Sequence, residues 1–216
     1  MAASYSSDVA FTESVKAIQA RRGSRGAYAR MEERGGWKTD ITPDLGGFIA
    51  AQRSFFLATA NLEGQPYVQH RGGPPGFLHV LDEHTLAFAD FSGNRQYITL
   101  GNLAQNPRAQ LFLIDYAERT RVKIWGVASV AESDPKILER LRPLDYRARV
   151  EQAIVFRVIA WDANCPQHIP RRFEAEHVEA ELRKRDQRIE ELETELRRLR
   201  ATTSAASAAQ PGSSTP

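Results

Sequence analysis

The sequence predicts a mainly β (α+β) protein, a small barrel with N-terminal helices before it and a C-terminal coiled-coil helix after it. Three observations carry this. Short apolar runs rich in Phe, Val, Ile and Thr recur between residues 54 and 161, separated by turns bearing Gly, Asn and Asp. Few helical stretches fall among them, whereas a doubly wound sheet needs a helix between successive strands. From Glu174 the composition switches to Glu and Arg around a regular apolar seam.

Along the chain, residues 9–34 carry Val9, Phe11, Val15, Ile18, Tyr28 and Met31 among many charges, which predicts two short helices broken at Gly23-Ser24-Arg25-Gly26. Thr42-Pro43-Asp44 reads as an N-cap with proline at the first helical position, opening a helix that ends near Arg53. Residues 54–60 and 65–72 form a hairpin across the turn 61–64, and 77–81 and 85–90 a second one across Asp82-Glu83-His84. Residues 97–105 read as a helix stopped by Asn106-Pro107. Strands follow at 109–115 and 120–133, a short helix at 135–142, and a last strand at 153–161 leading to the loop 162–170. The expected divisions are an N-terminal helical segment at 1–50, a barrel at 51–173, a coiled-coil helix at 174–200 and a disordered tail at 201–216. The tail holds Ala, Ser, Thr, Gly and Pro without apolar bulk. In the helix before it, Val178, Leu182, Ile189, Leu192, Leu196 and Leu199 alternate at spacings of four and three, with Arg185 as the polar intruder. Two outcomes are open for this seam: self-association, or folding back on the barrel.

The chain has 216 residues, and its net charge of +2 gives no general reason to expect nucleic-acid or membrane-surface binding. The single cysteine, Cys165, rules out an intramolecular disulfide. With no signal-peptide h-region and no long apolar run, a cytoplasmic location is expected. Five histidines and one cysteine show no metal-ligand spacing, so no metal is expected.

The most informative stretch is 90–96, Asp-Phe-Ser-Gly-Asn-Arg-Gln, between two apolar runs. A strand that ends in a Ser-Gly-Asn turn and delivers Arg95 with Gln96 has the chemistry of an anion cradle: small residues expose backbone N–H groups, and a guanidinium forks onto phosphate. Gln69-His70-Arg71-Gly72 at the end of an earlier strand brings further donors. A surface turn with an exposed arginine is the alternative for either element.

Ala58-Thr59-Ala60, Gly64-Gln65-Pro66-Tyr67, Phe88, Gly93, Arg95, Asn106-Pro107-Arg108, Glu118-Arg119 and Gly126, in this order, resemble the core of pyridoxamine 5′-phosphate oxidase. The wider stretch, residues 10–173, looks like the uncharacterised bacterial flavin-nucleotide-binding branch of that FMN-binding split-barrel superfamily. The resemblance implies a six-stranded split β-barrel holding FMN at a homodimer interface. It also implies a flavoprotein oxidoreductase with a small-molecule substrate, and NAD(P)H as a candidate electron donor. Related barrels bind deazaflavin or haem, so a non-catalytic binding or sensor module is the alternative.

Carried over by position, Arg95 matches the arginine that grips the flavin phosphate, and Gln96 stands where the oxidase has a lysine. Gln69 replaces a second phosphate-binding arginine, and Arg71, two residues on along the same strand face, restores the charge. Asp90 and Phe91 replace a Thr and an Asn that line the flavin, while Ser92 and Asn94 belong to the turn. His70, Arg71 and Gly72 are expected near the ring edge, and Arg121 is expected to reach it from the partner subunit. Trp125 is expected to cover the flavin and Trp161 to close the core; Trp37 has no expected place. On the substrate side the oxidase's Arg-x-His signature is missing, and Cys165, Gln167 and His168 are the candidates there. Oxidation of pyridoxamine phosphate itself is therefore not expected, and the sequence names no catalytic residue. Cys165 is open between a reactive thiol and a buried structural cysteine.

Overall fold

The computed structural model describes residues 5–132, 134–142, 146–164 and 166–208. The chain divides into two compact units, residues 1–170 and 171–216.

In the first unit, the 3₁₀ turn Ser6–Val9, α1 (Glu13–Arg22) and α2 (Arg25–Glu33) are tied together by buried polar groups and by Phe11 packing edge-on to Tyr28 at 5.1 Å. Glu32 is 2% exposed, pairs with Arg25 and accepts from Ser7 Oγ at 3.2 Å; Arg25 Nη1 also donates to Gln19 Oε1 at 2.9 Å. A buried carboxylate requires such partners. The break between the helices falls at Gly23, whose φ of 81° is the left-handed conformation that glycine adopts without cost. α3 (Pro43–Ala51) starts as its sequence predicts, with Thr42 Oγ1 accepting from the Leu45 amide at 3.3 Å and Pro43 in the first turn. It buries Leu45 and Ile49 in the main core.

Seven strands follow: β1 (Ser54–Ala60), β2 (Pro66–Gly72), β3 (Leu78–Asp82), β4 (Thr85–Phe91), β5 (Arg108–Asp115), β6 (Thr120–Ala131) and β7 (Val150–Asn164). They number seven, one more than the six strands expected. All pair antiparallel in the order β2-β1-β5-β6-β7-β4-β3. Alternate residues of β1, β5, β6 and β7, including Phe55, Leu57, Leu111, Leu113, Ile124 and Phe156, turn into one core with Phe88 of β4. The sheet curls until its ends meet: Phe55 of β1 packs edge-on to Phe88 of β4 at 5.0 Å, and Arg71 of β2 pairs with Asp90 of β4. No ladder joins β2 to β3 or β4 among the described residues, which is the split of a split barrel.

Two boundaries differ from expectation. β7 extends beyond 153–161 at both ends, with Val150 opposite Phe91 and Asp162 to Asn164 opposite Lys123 to Arg121. Its polar ends join the ladder because β4 and β6 offer backbone partners there, whatever the side chains. The end of the expected strand 120–133 at Ser133 lies outside the described residues. α4 (Ile98–Gln105) connects β4 to β5, and α5 (Pro135–Leu141) follows β6. Asp134 caps α5, its Oδ1 accepting from the amides of Lys136 at 3.0 Å and Ile137 at 3.2 Å. Asp134→Ala is expected to cost about 1 kcal/mol, seen as a lower urea midpoint with an unchanged m-value.

The second unit holds α6 (Ala175–Ala208), which runs past the expected end at 200 into the residues expected to be disordered. A segment without apolar bulk cannot build a core, yet alanine is the best helix former, and Thr202 Oγ1 bonds back to the carbonyls of Arg198 and Leu199. Residues 209–216 of the expected tail lie outside the described residues. No helix among the described residues is long and apolar enough to cross a membrane.

Candidate cofactor site

The open seam between β2 and β4 creates a cavity of about 260 Å³. Strand alternation points Tyr67, Gln69 and Arg71 of β2 into it. Opposite them stand Asp90 at the end of β4, Asn94, Arg95 and Gln96 of the following turn, and Glu151 of β7.

Arg71 is the anchor of this cavity. Its side chain is 12% exposed, and its Nη1 donates to Asp90 Oδ1. Asp90 Oδ2 accepts from Gln152 Nε2 at 2.8 Å, so the carboxylate is engaged on both oxygens. The Nε of Arg71 is buried and has no hydrogen-bond partner among the described residues. An unfilled buried donor costs on the order of 1–3 kcal/mol, a cost that an acceptor at this position would remove.

The turn after β4 supplies the rest. Arg95 and Tyr97 take left-handed conformations, with φ of 57° and 56°. These alternating left-handed residues wind the chain tightly into α4, whose N-cap, Tyr97, makes no side-chain capping bond. The first amides of a helix are unpaired donors at its positive end, a setting that favours anions. Asn94 Oδ1 accepts from the Gln96 amide at 3.3 Å and shapes the turn. Thr99 Oγ1 donates to Gln69 Oε1 at 2.7 Å and pins α4 to β2.

Arg95 differs from Arg71 in being 62% exposed, with its Nε 3.9 Å from Glu151 Oε1. Two arginines and two carboxylates thus face the cavity, so an entering anion gains Arg71 and the helix amides directly and must draw Arg95 from Glu151.

Of the residues the sequence singles out, the structure brings together Gln69, Arg71, Asp90, Asn94, Arg95 and Gln96. His70 points to the opposite sheet face, its ring 5.6 Å from that of Phe56, because its neighbours on either side in β2 face the cavity. Gly72 ends β2 beside His70, and a Cβ there would lie 3.2 Å from the imidazole. Ser92 donates its amide to the Arg149 carbonyl at 2.9 Å and does not line the cavity. Arg121 and Trp125 lie on β6, separated from β2 by β1 and β5. Trp125 stacks on Trp37 at 4.6 Å and lines a different cavity of about 680 Å³. Trp161 packs against the core and donates to the Asp40 carbonyl at 2.8 Å. Gln167 and His168 form an exposed turn after β7, His168 with φ of 65°, and Cys165 lies outside the described residues. Sequence reasoning missed Tyr67, Thr99, Glu151 and Gln152. Tyr67 was available from the alternation that places Gln69 and Arg71, whereas Glu151 and Gln152 arrive by a ladder pairing some sixty residues away in sequence, since Asp90 pairs with Gln152.

FMN, which the resemblance implies, offers a phosphate, a polyol and a ring. The donor set fits its charged end: Arg71 would hold the phosphate, with the amides of α4, Arg95 and Asn94 around it. The cavity lies just below the ~300–1,000 Å³ of ligand pockets that enclose a whole molecule, so the ring would rest on surface outside it.

The fold defines a split-barrel protein whose seam holds a cavity lined by two arginines and two carboxylates. A family model described as pyridoxamine 5′-phosphate oxidase matches residues 41–166, and the chain belongs to that family. Among solved structures, HupZ of Group A Streptococcus is 16% identical, over 62% of this chain and 99% of that one, with a TM-score of 0.47. A pyridoxamine 5′-phosphate oxidase homologue of Lactobacillus delbrueckii is 18% identical, over 58% and 95%, with a TM-score of 0.46. An FMN-binding protein of Syntrophomonas wolfei is 12% identical, over 68% and 97%, with a TM-score of 0.44. No curated protein matches the chain.

Proposed function

We propose that the protein binds FMN, with the phosphate in the β2–β4 cavity, and acts as an oxidoreductase on a small molecule other than pyridoxamine phosphate. The observation that carries this is the buried, unfilled Nε of Arg71 in a cavity shared with Arg95 and the uncapped start of α4. Bound flavin supplies the redox chemistry, transferring a hydride or single electrons. The residues of this chain hold and orient it. Arg71 fixes the phosphate, Asp90 and Gln152 fix Arg71, and Gln69 with Thr99 holds α4 against the strand that carries the anchor. A homodimer is part of the proposal. It is supported by a cavity that takes only one end of the ligand and by the family's dimeric arrangement.

A visible spectrum of the purified protein, followed by titration with FMN, tests the reading. A flavin spectrum or saturable FMN binding is expected, and a colourless protein without affinity for FMN overturns it. A haem or deazaflavin spectrum would change the cofactor while keeping the cavity. A bound flavin that neither NAD(P)H nor reduced small molecules turn over would make the protein a binding module.

Glu151→Gln gives a sharper check on the cavity. Removing the carboxylate that faces Arg95 is expected to tighten FMN binding two- to five-fold, about 0.5–1 kcal/mol for a partly exposed pair, read by equilibrium fluorescence quenching.

A further inference from the structure

We propose that α6 pairs with the α6 of a second copy of this chain as an antiparallel coiled coil, with Ile189 of one helix against Leu192 of the other. The proposal is independent of what the barrel binds.

The helix shows why it needs a partner. Val178, Leu182, Ile189, Leu192, Leu196 and Leu199 lie along one seam and are each between 44% and 56% exposed. The spacing of four and three residues is the heptad repeat that packs side chains of one helix into holes of another. The rest of the surface is charged and already supports a single helix through local pairs, Lys184 with Glu181 at 2.5 Å and Arg188 with Glu191 at 2.8 Å. A helix stabilised in this way can present a straight seam to a second copy.

Charge decides the orientation. In a parallel, in-register pair Arg185 meets Arg185 of the second copy inside the seam, two guanidiniums within a layer that should be apolar. Beside that layer Arg188 would face Glu193 and Glu195 would face Arg200, but Glu181 would face Asp186. In the antiparallel pair Leu182 lies opposite Leu199, and Arg185 lies opposite Leu196, where its methylenes cover leucine and its head reaches water. Arg188 then flanks Glu195 and Glu179 flanks Arg200, against one unfavourable approach of Asp186 to Glu193. The flanking charges therefore balance equally in both arrangements, and the Arg185 layer selects the antiparallel one.

Disulfide trapping in the full-length chain tests this, with Cys165→Ser removing the only native thiol. Leu182→Cys and Leu199→Cys variants are prepared separately and oxidised alone or mixed. In the antiparallel pair, two Leu199 positions are roughly 25 Å apart, from 17 residues at ~1.5 Å each. The expected result is a crosslink that appears strongly in the mixture and at least ten-fold less in either variant alone. Efficient crosslinking of Leu199→Cys alone would mean a parallel pair and overturn the orientation. No crosslink in any combination, while an Ile189→Cys variant at the centre of the seam also stays unlinked, would overturn self-association of the helix. Unchanged thermal unfolding of the barrel in each variant shows that the outcome reports on α6 and not on misfolding.

Discussion

Arg71→Ala is expected to cost the protein both its cofactor affinity and about 3 kcal/mol of stability, the low end for breaking a buried ion pair. The two losses have different origins. Affinity falls because the buried donor to the ligand's anion is gone, worth about 1.5–3 kcal/mol for a charged hydrogen bond, or about 10- to 150-fold in Kd. Stability falls because Asp90, whose side chain is 11% exposed, keeps only Gln152 among the described residues as a partner for its charge. The double variant Arg71→Ala/Asp90→Asn separates them, since a neutral amide in place of Asp90 no longer needs a cation. Thermal unfolding should recover most of the lost stability in the double variant while FMN titration stays weak. Recovery of binding along with stability would show that Arg71 serves the fold alone.

Gly126→Ala is expected to be the most damaging single methyl in the barrel. Gly126 sits in β6 where the pairing with β7 shifts register between Trp125 and Gly126. A Cβ there would lie 2.1 Å from the Arg157 carbonyl oxygen and 2.5 Å from Cε1 of Phe156. A side chain can rotate away, but a strand carbonyl moves only by breaking its ladder, so the cost should reach the upper end of overpacking, about 3 kcal/mol. That corresponds to a fall in Tm of roughly 6–12 °C for a protein of this size. Gly101→Ala is the control, because α4 leaves nothing within 4 Å of that Cβ. It should stabilise by about 0.5–1 kcal/mol, the ordinary helical preference for alanine. Equal Tm values for the two variants would refute the packing account.

Much of this architecture was legible in the residues. The hairpins, the cap at Thr42, the helix stopped before Pro107 and the cavity-facing pair Gln69 and Arg71 all rest on local rules: turn chemistry, capping and a period of two. Those rules act within a few residues and need no tertiary context. His70 shows their limit when a motif is taken as a block. The family strand was expected to deliver three neighbours to the ring, yet the pleat sends alternate side chains to opposite faces. Arg95 shows another limit: its position in the turn was readable, but its 62% exposure was not.

By itself the sequence determined the family, the run of elements and several of the residues that line the seam cavity, because each is written in local pattern. Only the tertiary structure decided that Arg71 rather than Arg95 is the buried anchor. That depends on β2 meeting β4 at the seam of the curled sheet, and on β7 bringing Gln152 beside Asp90 and Glu151 beside Arg95. Burial and charge pairing are set by residues far apart in the chain, and they determine which of the two arginines is held inside the cavity and which stays exposed.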